Sequence, residues 1–243
     1  MFEARQRALN ALDNELSSER ELINECFDMT RKLIAIFDTP EFDPLMAAAG
    51  TATLKCRYLL LGVYELSLDG LGQEAGALLR VVQEYLIVIE YLYWEPEKAV
   101  ELVEGKVGNA GKLAMKLAEL VEGLGPEYKA IKQAVLGHLN AQKNLRENYL
   151  HTFAAHMSFA PEARGHLIDA KTLRARLDPV FAAVTFRWNL SACCSFLIDV
   201  IFHAAQLLQK HNKLPAAYAE QIQLLQERNS LLFEDLMGTN AES

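Results

Sequence analysis

Apolar residues recur at intervals of three and four along nearly the whole chain, and no segment alternates strictly over the length of a strand. This spacing gathers apolar side chains on one face of an α-helix, whereas a half-buried strand needs a repeat of two. Only 7 prolines and 13 glycines occur in 243 residues, and they mark where helices end. The pattern predicts an all-α, antiparallel multi-helix bundle of seven or eight helices, with residues 1–243 in a single domain.

The breaks at prolines and glycines set the expected helix boundaries. We expect long helices at 3–37, 45–68, 73–94, 96–122, 126–156, 179–210 and 216–236. A connector, MSFAPEARGH, follows the fifth helix, and DAKTLRARL reads as a further short helical piece. Residues 237–243 are expected to form a disordered tail.

Composition and charge limit the classes of function. The chain is 51% hydrophobic and 23% charged, which is typical of a globular protein with its own core. Its net charge of −8 repels nucleic acid, and it has no run of five or six basic residues. RNA binding is therefore disfavoured and would need a local basic patch.

The N-terminus and the cysteines predict a cytoplasmic protein. The chain is charged from its third residue, shows no apolar signal segment, and has charged residues in each of its most apolar windows. We therefore expect no membrane span. The cysteines lack the spacing of zinc ligands and are expected to be buried, reduced thiols: Cys26, Cys56, Cys193 and Cys194.

The segment ALLRVVQEYLIVIEYLY, residues 77–93, carries charges inside an apolar run. On a helical wheel its polar residues share an arc of about 120°, the width of a solvated stripe: Arg80, Gln83, Glu84 and Glu90. Ile87 and Tyr91 fall in the same arc, so this face is only half polar. Arg80 and Glu84 therefore form either a surface ion pair worth about 0.3–0.5 kcal/mol, or a desolvated pair that lines a pocket.

The same segment resembles a family of bacterial helical proteins. The shared block is Leu-x-Arg-x-x-x-Glu followed by an apolar run and an acidic-proline turn, matched here by Leu78, Arg80, Glu84 and Glu95-Pro96. An aromatic residue and a histidine near a serine follow, similar to Tyr149 and His156-Met157-Ser158. That family is similar to HEPN-like bundles, some of which are RNA-cutting toxins or nucleotide-binding partners of nucleotidyltransferases.

The resemblance implies a site and an assembly. It implies that Arg80, Glu84 and His156 converge, with Tyr149 on the same helix stripe as His156. It also favours a homodimer, as the high apolar content does. An alternative role for His156 is to cap the C-terminal end of its helix, where a cation is favoured by up to about 1 kcal/mol.

A ribonuclease is the main catalytic alternative. HEPN ribonucleases carry an arginine followed four to six residues later by a histidine, and Arg146 and His151 have that spacing. Chance produces about one such match in a chain of this composition, and Glu147 places a carboxylate beside the supposed phosphate site. The catalytic candidates are therefore Arg146, His151 and His156.

No motif predicts a cofactor or a metal. His151 and His156 lie about 140° apart on a helix and cannot share one ion, and no HExxH or ExxH motif occurs. Three functions are expected: a HEPN-like module that binds a partner or ligand in bacterial defence or stress, a metal-independent ribonuclease, or a bundle that binds a small anion near Arg80.

Overall fold

Helices make up almost all of the structure. It is a computed structural model that describes residues 2–106, 110–123, 168–169, 174–175 and 183–238. The described α-helices are α1 Phe2–Asn14, α2 Ser17–Phe37, α3 Pro44–Leu68, α4 Gly72–Trp94, α5 Ala99–Val103, α6 Ala110–Gly123, α7 Ala183–Lys210 and α8 Ala216–Gly238. A 3-10 turn at Pro96–Lys98 joins α4 to α5, and two short strands pair, β1 Ile168–Asp169 and β2 Arg174–Ala175. The prediction of an all-α fold is confirmed.

The first predicted helix is divided in two. The backbone N–H groups of Glu15 and Leu16 both donate to the carbonyl oxygen of Ala11, which widens the last turn of α1. Leu16 is buried at this break, and α2 starts at Ser17. The apolar repeat passes through the break without interruption, so no proline or glycine marks it.

The fourth predicted helix, 96–122, is also divided. Gly105 adopts a positive φ of 69°, a conformation that glycine reaches without steric cost. The N–H of Lys106 donates to the carbonyl oxygen of Glu101 at 2.9 Å, which closes the last turn of α5 as a Schellman motif. A left-handed residue ends the helix, so α6 begins separately.

Two further expectations differ from the structure. The piece expected to be helical, 169–177, includes Asp169, Arg174 and Ala175, which belong to the antiparallel pairing of β1 and β2. A helix this short is marginal by itself, so backbone pairing can displace it. Helix α8 continues to Gly238, two residues into the expected tail 237–243. Residues 239–243 and the whole of the expected helix 126–156 lie outside the described residues.

Glycines set how closely the early helices pack. A Cβ added to Gly50 on α3 would lie 2.7 Å from the Cβ of Phe37 on α2. A Cβ on Gly62 would lie 2.9 Å from Cδ1 of Leu78 on α4. Together with the hydrogen bond from the Cys56 thiol to the carbonyl oxygen of Val82, this places α3 antiparallel to α4.

One helix pair runs parallel within the bundle. Near the start of both helices, Nδ2 of Asn189 on α7 donates to the carbonyl oxygen of Gly72 on α4 at 3.0 Å. At their ends, Nζ of Lys210 donates to the carbonyl oxygen of Tyr93. Both bonds join residues 117 apart, so α4 and α7 run side by side in the same direction.

Helix α4 lies at the centre of the described bundle. Helices α3, α6 and α7 pack against it, and no residue from Ala75 to Trp94 is exposed. Within the described residues, one segment, Phe186–Lys210 of α7, is long and apolar enough to cross a membrane by length and composition. More than half of its most apolar window is buried within the bundle.

Candidate functional site

Arg80 and Glu84 form an ion pair at a half-covered edge of α4. An Arg80 guanidinium nitrogen lies 3.6 Å from a Glu84 carboxylate oxygen, and their side chains are 41% and 37% exposed. The Arg80 Nε is nonetheless buried without a hydrogen-bond partner. The pair is therefore neither fully solvated nor fully desolvated: the charged ends reach solvent, and Nε of Arg80 is covered.

The other residues predicted for this site cannot be placed beside it. Arg146, Tyr149, His151 and His156 lie outside the described residues. Their convergence with Arg80, and the ribonuclease arrangement, therefore stay predictions.

The rest of the polar arc on α4 is covered by neighbouring helices. Ile87 and Tyr91 are 2% and 4% exposed and pack with Leu113, Ala114 and Leu117 of α6. Gln83 is 7% exposed, and Glu90 is half-buried. Of the two interpretations left open for this arc, the solvated stripe does not hold at Gln83, and Glu90 is partly covered, because three helices surround α4.

Gln83 and Glu90 lie on the side of α4 that faces α7. At 100° per residue they fall within about 80° of Gly72 and Tyr93, whose carbonyl oxygens bind α7. On α7, Asp199 lies within about 80° of Asn189 and Lys210, which supply the donors. We call Gln83, Glu90 and Asp199 the α4–α7 seam.

Burial changes the acidity of both carboxyl groups in the seam. Burial raises the pKa of Asp199 to about 6. Burial, and then the charge of Asp199, raises the pKa of Glu90 to about 7. Both shifts follow because a charged carboxylate is poorly solvated inside a protein and disfavours a second negative charge beside it.

The seam also holds unsatisfied hydrogen-bonding capacity. The Oε1 atom of Gln83 is buried without a partner. Along the described helices, no side chain forms a hydrogen bond or ion pair with Glu90 or Asp199. The nearby Lys210 is instead engaged at Tyr93, where its Nζ lies 4.6 Å from the ring centroid.

These groups can accept hydrogen bonds and exchange protons near neutral pH. A carboxyl group with a pKa near 7 can act as a general acid or base, or can hold a cation. No set of three or more His, Cys, Asp or Glu side chains in the described ranges could hold a metal ion.

Comparisons with other proteins give no family for this chain. No family model, curated protein or solved structure matches it. The HEPN-like resemblance therefore stays a prediction from the block at residues 78–96.

The sequence contains a second pattern that indicates the buried carboxyl groups of the seam and that a helical wheel does not capture. Glu90 interrupts LIVIEYLY and Asp199 interrupts SFLIDVIFH, each as a single acid within an apolar run. A lone carboxylate with apolar neighbours on both sides is expected to be desolvated, whichever arc it shares. That the two acids meet depends on helix packing, which the sequence pattern does not encode.

Proposed function

We propose that this chain is a cytoplasmic, HEPN-like helical bundle that acts as a binding module for a partner protein or small ligand in bacterial defence or stress. The observation that carries the proposal is the buried, unpartnered Oε1 of Gln83, on the same side of α4 as the half-buried Glu90 and across from the half-buried Asp199 of α7. An unsatisfied buried polar atom costs about 1–3 kcal/mol, so leucine would make the more stable bundle. Because these polar groups lower the stability of the bundle, we infer that they serve to bind a ligand or partner.

Ligand-dependent stabilisation tests the proposal. We expect at least one member of a panel of nucleotides, organic anions and amines to raise the melting temperature of the protein, because a ligand that binds the folded state stabilises it. Gln83→Leu should fold and lose that response, while Glu220→Gln on the exposed face of α8 should keep it. No response to the panel, together with no defined partner bound more weakly by Gln83→Leu, would contradict the proposal.

A second candidate is a site for a small anion beside Arg80. It is favoured by the buried Arg80 Nε, which has a donor to offer. Nucleotides or phosphate should then stabilise the protein, and Arg80→Ala should abolish the effect without unfolding the chain. A response unchanged in Arg80→Ala would contradict this candidate.

Two other parts of the prediction have direct tests. The ribonuclease alternative predicts RNA cleavage without added metal that is lost in His151→Ala or His156→Ala. The proposed homodimer predicts twice the chain mass in light scattering across a range of concentrations. RNA cleavage that survives both substitutions would exclude these histidines as catalytic residues. A monomer mass at every concentration would exclude the homodimer.

A further inference from the structure

The seam presents acceptors from two facing helices. On α4, the Gln83 side chain is more than nine-tenths buried and its Oε1 has no partner. Glu90 lies seven residues further along the same face, and Asp199 of α7 lies nearer the level of Gln83, while its charge still reaches Glu90. An ionised carboxylate only accepts hydrogen bonds, so the site offers acceptors to a ligand that brings donors.

The charges along the seam leave a negative excess. On α4, Arg80 pairs with Glu84. On α7, Lys210 binds Tyr93, and His203 contacts the Phe202 ring edge to face, with ring centroids 5.6 Å apart, and has a further interaction of its own.

The helices packed on either side add no cation to the seam. Cys56 of α3 donates to Val82, Lys112 of α6 has a contact of its own, and Cys26 of α2 is a buried neutral thiol on the other side of α7. Arg228 of α8, which also packs on α7, pairs with Glu25 of α2. In the described part of the chain, no basic side chain forms a hydrogen bond or ion pair with Glu90 or Asp199.

We infer that the α4–α7 seam binds a small organic cation, an ammonium or guanidinium group whose N–H donors bind Gln83 Oε1 and the carboxylates of Glu90 and Asp199. This inference rests on the proposed function and names its ligand class. A cation supplies donors and opposite charge together, and charge-assisted hydrogen bonds are stronger than neutral ones. The buried Leu79 and Leu86, both on one side of the Gln83–Glu90 line on α4, suit a short aliphatic chain behind the charged head.

Binding of a cation here depends on pH in one direction. The cation binds the ionised carboxylates, and burial has raised the pKa of Glu90 to about 7 and that of Asp199 to about 6. Binding therefore releases protons, and the affinity rises as the pH increases through this range. An anionic ligand in the same place would show the opposite dependence.

Calorimetry with defined amines tests the inference. The probes are putrescine and agmatine, with 1,4-butanediol as the uncharged analogue, at constant ionic strength and at pH values on either side of both carboxyl groups. We expect binding of at least one amine at the higher pH, at least about tenfold weaker binding at the lower pH, and none for the diol. Glu90→Gln and Asp199→Asn should each weaken binding at least about tenfold, while Glu220→Gln leaves it unchanged.

The outcomes separate this inference from the proposed function. If Glu90→Gln or Asp199→Asn unfolds, Gln83→Leu supplies the comparison, because leucine suits that buried position. Amine binding that is equal in all seam variants would place the cations elsewhere on the acidic surface and overturn the inference. If no amine binds but another ligand or a partner binds tightly, the inference of a cation site is overturned. The proposed function as a binding module is then retained.

Discussion

At the scale of residues, the ionisation of a single carboxyl group, that of Glu90, makes the stability of the seam depend on pH. Glu90 has an ordinary pKa of 4.5 in the unfolded chain and a pKa of about 7 in the folded protein. The folded state therefore holds the proton more tightly, and ionising Glu90 destabilises the fold. The stabilising contribution of the protonated Glu90 carboxyl group is complete below about pH 4.5 and is lost as the pH rises through 7.

Replacing this carboxyl group with an amide should make the protein more stable at neutral and higher pH. We expect Glu90→Gln to raise the free energy of unfolding by about 1–3 kcal/mol near pH 8 and to change it little near pH 4.5, since the substitution removes the buried charge. Urea unfolding at several pH values measures the effect.

The exposed Glu119 on α6 offers the matched control for this experiment. Glu119→Gln should shift stability by less than about 0.5 kcal/mol at every pH. Equal pH profiles for Glu90→Gln and the original chain would show that Glu90 is solvated in the folded state.

The helical wheel of residues 77–93 grouped the polar residues on one face and left open whether that face is solvated or covered. It placed Gln83, Glu84 and Glu90 on one arc, and the structure separates them because α6 and α7 cover parts of that arc. Arg80 and Glu84 could be predicted as an ion pair from their spacing of four. Their half exposure could not, because it depends on where α6 ends its contact with α4.

At the scale of elements, helix positions were largely predictable and two breaks were not. The prolines and glycines gave α3, α4 and the start of α8 closely, because these residues physically restrict the backbone. The break at Leu16 stayed hidden because an apolar side chain occupies it. The break at Gly105 was visible as a glycine, but the apolar spacing that continues beyond it favoured one helix.

Close contact between α2 and α3 depends on the absence of a side chain at Gly50. We expect Gly50→Ala to destabilise the protein by about 1–3 kcal/mol, because the new Cβ would meet the Cβ of Phe37, which cannot rotate away. Thermal or urea unfolding measures the loss.

Gly76 on α4 provides a matched comparison, since a Cβ there meets nothing within 4 Å. Gly76→Ala should stabilise the helix by about 0.5–1 kcal/mol, the usual gain from replacing glycine inside a helix. If both substitutions stabilise, the spacing of α2 and α3 is not set by Gly50.

At the scale of the whole molecule, the sequence pattern did not predict which helices pack against each other. Short connections predicted antiparallel pairs, and α3 with α4 follows that rule. The parallel pairing of α4 and α7 joins distant parts of the chain, so no local spacing reports it. The prediction of four buried, free cysteines is confirmed, because their apolar neighbours determine burial directly.

The buried thiols should report on the integrity of the entire bundle. The hydrogen bond with Cys194, then burial, raises the pKa of Cys26, and burial raises the pKa of Cys56 and Cys193, so the reactive thiolate is scarce in the folded state. We expect thiol reagents to label the native protein at least about a thousandfold more slowly than the urea-unfolded chain. Fast labelling of one cysteine in native buffer would reveal a local opening at its helix.

The parallel pairing of α4 and α7 also determines the order in which the chain can assemble. Its hydrogen bonds span 117 residues, so a ribosome needs roughly 6–23 s to supply the second helix after the first. During that interval α4 lacks its α7 contacts. Glu90, fully ionised in water, then acts as a gatekeeper that discourages this apolar face from aggregating, so the charge that weakens the finished bundle protects the unfinished one.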